Sequence, residues 1–311
     1  MVSKKYLLLF QTIFFTVSVL LYIPASFSKE PSTTIPSDQA TSRCETVKPF
    51  TGISADDLMK IKYMVKYTKF AQDYQGVGYF KMVPQDGPVR SRYWRRYRII
   101  LNKISKEIDY KDLVLILGPQ NLKGLSVLTW TYRDPEKEQE VWTWIPSLRK
   151  VRRLSPSEEA DPFMGSDFTT EDISTRKWED ETYRMVGEKT FAGHRSTYHE
   201  KTIYKDTDCY VIEAKPKRKK WYYSKRIVWL HKQFGGLIFD EFFGPEGKRW
   251  KTFVKEYEVL PDGCIPQVFI EAEDHLSNHK TVIGFKKEDI AFNSGLQEGF
   301  FSEKTLMRSK W

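Results

Sequence analysis

Residues 89–101 read VRSRYWRRYRIIL. Basic side chains alternate here with aromatic and aliphatic ones, and a period of two belongs to an extended strand, whose successive side chains point to opposite faces. The alternation puts Val89, Tyr93, Tyr97, Ile99 and Leu101 on one face and Arg90, Arg92, Trp94, Arg96 and Arg98 on the other. The reading is a sheet with an aromatic and aliphatic inner wall and a cationic outer wall.

The same texture continues outward from this stretch. Segments such as LVLILG (113–118), LSVLTWTY (125–132), VWTWI (141–145), RIVWLH (226–231) and QVFIEAED (267–274) are strand-like, with turn-forming clusters between them. Many of these gaps have hairpin length, so the sheet is expected to be antiparallel, up-and-down, with ten or eleven strands. Before it, Ser54 and Asp57 have capping-box spacing, and Leu58, Ile61, Val65 and Thr68 share one helical face with Met64 beside them, which predicts a helix over 55–71. So many twisted strands must curl. The expected fold is therefore mainly β with one long N-terminal helix: a strongly curved, incompletely closed antiparallel barrel with helix and loop over its concave face.

The chain has 311 residues, 50 Lys and Arg against 41 Asp and Glu, a net charge of +9, and 15% aromatic residues. The basic balance suits nucleic acid or an anionic membrane surface. Lys4 and Lys5 precede an apolar run from Tyr6 to Ile23, with Ser26 and Ser28 at the small positions a signal peptidase reads. Residues 1–28 are thus expected to be a signal peptide, an uncleaved membrane anchor being the alternative; 29–50 a flexible leader; and 51–311 a single domain outside the cytoplasm. Export argues against a nucleic-acid partner. Cys44, Cys209 and Cys264 lack metal-like spacing and leave either one disulfide or three unpaired thiols open. None sits where a lipoprotein would be acylated. The charged run at 215–220 reads as a hairpin tip, either merely solvated or drawn to anionic headgroups.

Residues that carry chemistry are sparse. His275 and His279 are four apart but straddle a turn, and no Glu is placed to act as a base. Ser166 lacks the second glycine of a nucleophile elbow. Adjacent carboxylates such as Glu158 and Glu159 lie in loops. The expectation is a protein that is not an enzyme, with no catalytic residue, metal or cofactor.

Residues 142–173, WTWIPSLRKVRRLSPSEEADPFMGSDFTTEDI, join a basic half to an acidic one. A loop that pairs its own charges, with Arg149, Arg152 and Arg153 against Asp167, Glu171 and Asp172, would fold back over the sheet and carry Phe163, Met164 and Phe168 onto an apolar surface. Thr169 and Asp172 have capping-box spacing for a short helical turn. The stretches 144–153, 163–168 and 171–172 resemble the LolA-like outer-membrane lipoprotein-sorting family. The likeness continues more loosely through Trp250-Lys251-Thr252, His279-Lys280-Thr281 and 292–296. The resemblance implies a periplasmic carrier that shields the acyl chains of a lipoprotein or free lipid for transfer towards the outer membrane, with an RND-type export permease as a neighbour. Lipid-lining candidates are then Tyr93, Tyr97, Trp142, Trp144, Phe163, Met164 and Phe168, and the ion pairs above form a gate. The alternative is an envelope adaptor that binds such a permease and has no cargo of its own.

Overall fold

The computed structural model describes residues 52–67, 71–134, 136–154, 162–173, 176–219, 221–259 and 265–308. The expected signal peptide and leader, Cys44, Cys264, Glu158 and Glu159 lie outside them. Among the described residues fifteen strands follow in chain order: β1 Asp73–Val83, β2 Arg90–Ile100, β3 Ile108–Gly118, β4 Ser126–Tyr132, β5 Glu140–Ile145, β6 Lys150–Arg153, β7 Glu181–Phe191, β8 His194–Ser196, β9 Lys201–Ile203, β10 Thr207–Pro216, β11 Lys225–His231, β12 Leu237–Phe243, β13 Arg249–Tyr257, β14 Gln267–Asp274 and β15 His279–Phe292. Thirteen form one antiparallel sheet in the order β6-β5-β4-β3-β2-β1-β15-β14-β13-β12-β11-β10-β7, and β8 and β9 form a separate hairpin. The sheet is curved and not closed, with β6 and β7 at its two edges. It holds more strands than expected, partly because the basic residues 150–153 pair with β5 instead of forming a turn.

Helix α1 (Ala55–Tyr67) has 13 residues, about 20 Å of axis, and is shorter than the predicted helix, since Ala71 is already outside it. Its start is the expected one: the Ser54 hydroxyl accepts from the Asp57 N–H at 3.1 Å and donates to the Asp57 carboxylate at 2.7 Å. Leu58 and Met59 join a buried cluster with Tyr210, Val228 and Leu237 on β10, β11 and β12. One turn further, Tyr63 packs with Tyr110 on β3. Strands β3 and β12 are six places apart in the sheet order. At about 4.8 Å per spacing a flat sheet would hold them ~29 Å apart. Neighbouring turns of one helix touch both only because the sheet curls around it, so α1 lies on the inner face.

That geometry inverts the face assignment made for β2. Trp94 is 3% exposed and packs with Phe80 and Ile116, while Arg96 and Arg98 on the same inner face share the Asp112 carboxylate of β3, Arg98 at 2.8 Å. Alternation was legible, but the arginines face inward because a buried acid pairs with them. Tyr93, at 45% exposure, and Tyr97 point outward. The outer face of β2 to β5 is covered by the C-terminal segment, whose Leu296, Phe300, Phe301 and Leu306 pack on Leu113, Leu128, Trp130 and Trp142. Asp73 fastens this segment, its carboxylate accepting from the N–H groups of Ser294, Gly295 and Leu296 at 2.7, 2.9 and 3.2 Å.

Candidate functional site

Residues 162–173 form a compact excursion on the inner face. The Phe163 N–H donates to the Phe168 carbonyl at 2.7 Å, and the Ser166 N–H and hydroxyl both donate to the Phe163 carbonyl, at 3.0 and 2.6 Å. These bonds close the excursion on itself, with Gly165 taking the positive φ of 69° in its short turn. Its two phenylalanines splay apart. Phe163 lies 5.9 Å from Phe80, ring to ring, and joins the cluster of Phe80, Trp94 and Ile116. Phe168, fully buried, lies 5.1 Å from Phe253 in a cluster with Tyr223, Phe242 and Ile270. The excursion therefore plugs two apolar patches, one over β1 to β3 and one over β12 to β14.

Polar groups tie the plug to the sheet. The Asp167 carboxylate accepts from His279 Nδ1 and from the Thr281 hydroxyl, each at 2.6 Å, and its N–H donates back to Thr281 Oγ1 at 3.1 Å. The expected cap at Thr169 is present: its N–H donates to Asp172 Oδ2 at 2.9 Å and its hydroxyl accepts from the Asp172 N–H at 3.1 Å, opening helix α2 (Thr170–Ile173). Lys251 on β13 donates to Asp172 Oδ2 at 2.7 Å and to the Asp167 carbonyl at 3.2 Å. Arg176 donates to Glu171 at 2.8 Å, and Tyr222 donates to the same oxygen at 2.6 Å. Burial opposes the charge on Asp172, but Lys251 and Arg176 outweigh it and hold this carboxyl well below the usual carboxylate range.

Beside the plug is a second buried network. Arg226 Nε donates to Glu181 at 2.9 Å, and Arg226 also pairs with Asp240. Burial would raise the Glu181 carboxyl, yet Arg226 pulls it down to about 2. Asp240 keeps the upward shift that burial imposes despite Arg226. A cleft lined by Lys62, Arg176, Arg226, Asp240, Phe253 and Lys255 opens between the plug and α1; its room, about 20 Å³, suits a single water. With the plug in place, this part of the inner face is packed and polar where the sequence reading expected an aromatic and aliphatic wall.

The structure divides the sequence-predicted residues. Phe163 and Phe168 are on the inner face, and the backbone of Met164 lies in the turn between them. Tyr93, Tyr97, Trp142 and Trp144 are on the outer face, where Tyr97 meets Phe300 at 5.0 Å and Trp142 meets Trp130 at 5.3 Å; they line no common surface with the phenylalanines. The charges also sort differently. Asp167, Glu171 and Asp172 find His279, Arg176 and Lys251, whereas Arg153 pairs with Glu140 at 2.6 Å and Arg149 and Arg152 are exposed near the β5–β6 turn. The basic half stays with the sheet edge because it builds β6. Sequence reasoning missed the pairing roles of Lys251, His279 and Thr281, although the resemblance had marked their stretches. It also missed Arg226 and Asp240, whose trace was charge within largely apolar strands. Cys209 is a buried free thiol, and burial raises its pKa to about 12.

Comparison with known proteins adds the following. A family model described as "Uncharacterized protein" matches residues 109–308. No curated protein matches the sequence. Among solved structures, a domain described as an outer membrane lipoprotein-sorting protein from Vibrio parahaemolyticus is similar at 21% identity and a TM-score of 0.69, covering 82% of this chain and 98% of that one. A DUF1329 family protein from Desulfovibrio piger is similar at 23% identity and 0.68, covering 81% and 97%. A LolA superfamily protein from Nitrosomonas europaea is similar at 17% identity and 0.57, covering 82% and 100%.

Proposed function

We propose, from the premise that this chain belongs to the DUF1329 family and has a LolA-like fold, that it is a periplasmic carrier sheltering acyl chains on the inner face of its curled sheet. The cargo is a lipoprotein or a free lipid, moved towards the outer membrane. The observation that carries this reading is the plug, a self-closed segment that inserts Phe163 and Phe168 into two apolar patches and is tied down by side-chain polar contacts. Burying a phenyl ring contributes about 2–3 kcal/mol, whereas a long acyl chain at about 0.8 kcal/mol per methylene contributes roughly 10 kcal/mol. A tail can thus outcompete the two rings and still be released to a membrane, which offers it the same shelter.

In this account Phe163, Met164 and Phe168 mark the cargo's path, and Asp167, Glu171 and Asp172 are the latch. Arg149, Arg152 and Arg153 sit apart, near the β5–β6 turn, and suit contact with an anionic membrane surface or a permease. Tyr93, Tyr97, Trp142 and Trp144 have no part in the lining, because they face outward. The test is recovery of the protein from the cell envelope, with mass spectrometry of the extracted lipid and titration with a fluorescent fatty acid. Bound lipid and saturable uptake are expected. Empty protein that takes up nothing would overturn the reading.

The adaptor reading has its own support in the water-sized, polar cleft that remains beside the plug. Stable co-purification of an RND-type permease with protein that carries no lipid, at any stage of purification, is the outcome that favours it.

A further inference from the structure

Lys251 has a particular dependence on the plug. Its side chain is 1% exposed, and its two hydrogen-bond partners, Asp172 Oδ2 and the Asp167 carbonyl, both belong to residues 162–173. Around the ammonium stand Trp250, Phe253, Phe242 and Tyr222, with ring centroids at 4.6, 4.9, 5.0 and 5.6 Å. Ring faces stabilise a cation, but they do not replace the counter-charge that a buried ammonium requires. Cargo that displaced the plug by its tail alone would leave this charge uncompensated. Cargo that brought an anion would restore the pair.

The plug has the composition of such cargo. Phe168 fills an apolar patch, and four residues on, Asp172 presents a carboxylate to Lys251. Lys62, Arg176, Arg226 and Lys255 line the adjoining cleft together with Glu171 and Asp240, so an anion that replaced Asp172 would meet mixed charge with the basic groups in the majority. We propose that the inner face selects anionic amphiphiles, and that the plug is an internal mimic of one: a phosphate or carboxylate head takes the place of Asp172 at Lys251 while an acyl chain takes the place of Phe168. This rests on the carrier reading and specifies its substrate class.

The test compares two pyrene-labelled probes with the same acyl chains, phosphatidylglycerol and diacylglycerol, titrated into the delipidated full chain alongside inorganic phosphate. Phosphatidylglycerol is expected to bind at least tenfold more tightly than diacylglycerol. Lys251→Met should bring that ratio to within about twofold. Asp172→Asn, which weakens the plug's hold on Lys251, should raise phosphatidylglycerol affinity several-fold. Equal binding of both lipids by the unmodified chain would overturn the anion proposal and leave the carrier reading standing. Binding of neither lipid would remove the carrier reading and this proposal together. Phosphate bound through Lys251 without any lipid uptake would reassign the site to a free anion and overturn the proposal. So would the two substitutions shifting phosphatidylglycerol affinity in the same direction.

Discussion

Among single residues, the buried charges set the terms. Glu181 and Asp112 are held at about 2, against ordinary values of 4.5 and 3.8, because Arg226 in one case and Arg96 with Arg98 in the other outweigh the cost of burial. A depressed carboxyl contributes stability that is fully present above its unfolded value and is lost as pH falls through the folded one. The urea midpoint should therefore drop steeply between about pH 4.5 and pH 2. Glu181→Gln should flatten that slope and also lower stability at pH 7 by about 3 kcal/mol, since Arg226 loses a counter-charge; slopes identical to the unmodified chain would contradict this. Such pairs were hard to read in the sequence. Arg98 and Asp112 lie on different strands, and only the sheet register makes them neighbours, so the face of β2 was assigned by hydrophobicity and came out inverted.

Among the elements, those with local rules were legible and those fixed by distant contacts were not. The Ser54 cap and the Thr169 cap are present as their spacing predicts, because both depend on residues three apart. The start of β3 was missed: 108–112 reads IDYKD, polar enough for a loop, and becomes strand because Asp112 answers two arginines. The C-terminal segment, to which no element was assigned from the sequence, covers the outer face of β2 to β5 and is fastened by Asp73. Phe301→Ala should cost about 3–5 kcal/mol, as for other buried Phe truncations. Asp73→Ala, which strands three N–H groups, should make residues 294–308 the first site of limited proteolysis. An unchanged cleavage pattern would show that the apolar contacts alone hold the segment.

For the whole molecule, the open antiparallel sheet follows from the alternating strands and hairpin gaps, and the curl from their number; these were legible. The plug's aromatic residues were also foreseen, but not its partners, because its acids pair with β13 and β15 instead of with the adjacent basic run. Phe168→Ala should weaken the plug, and uptake of a fluorescent fatty acid should tighten by about tenfold, a change read directly from the titration midpoint. The central claim is that plug and cargo exclude one another. Asp167 and Thr281 touch through hydrogen bonds at 2.6 and 3.1 Å, which makes them the pair of positions to replace by cysteine. The measurement is fatty-acid uptake by the Asp167→Cys, Thr281→Cys chain before and after reduction. The account predicts no uptake while the bridge is closed and full uptake once it is opened. Equal uptake in both states would mean that lipid binds elsewhere and that the plug is simply part of the core.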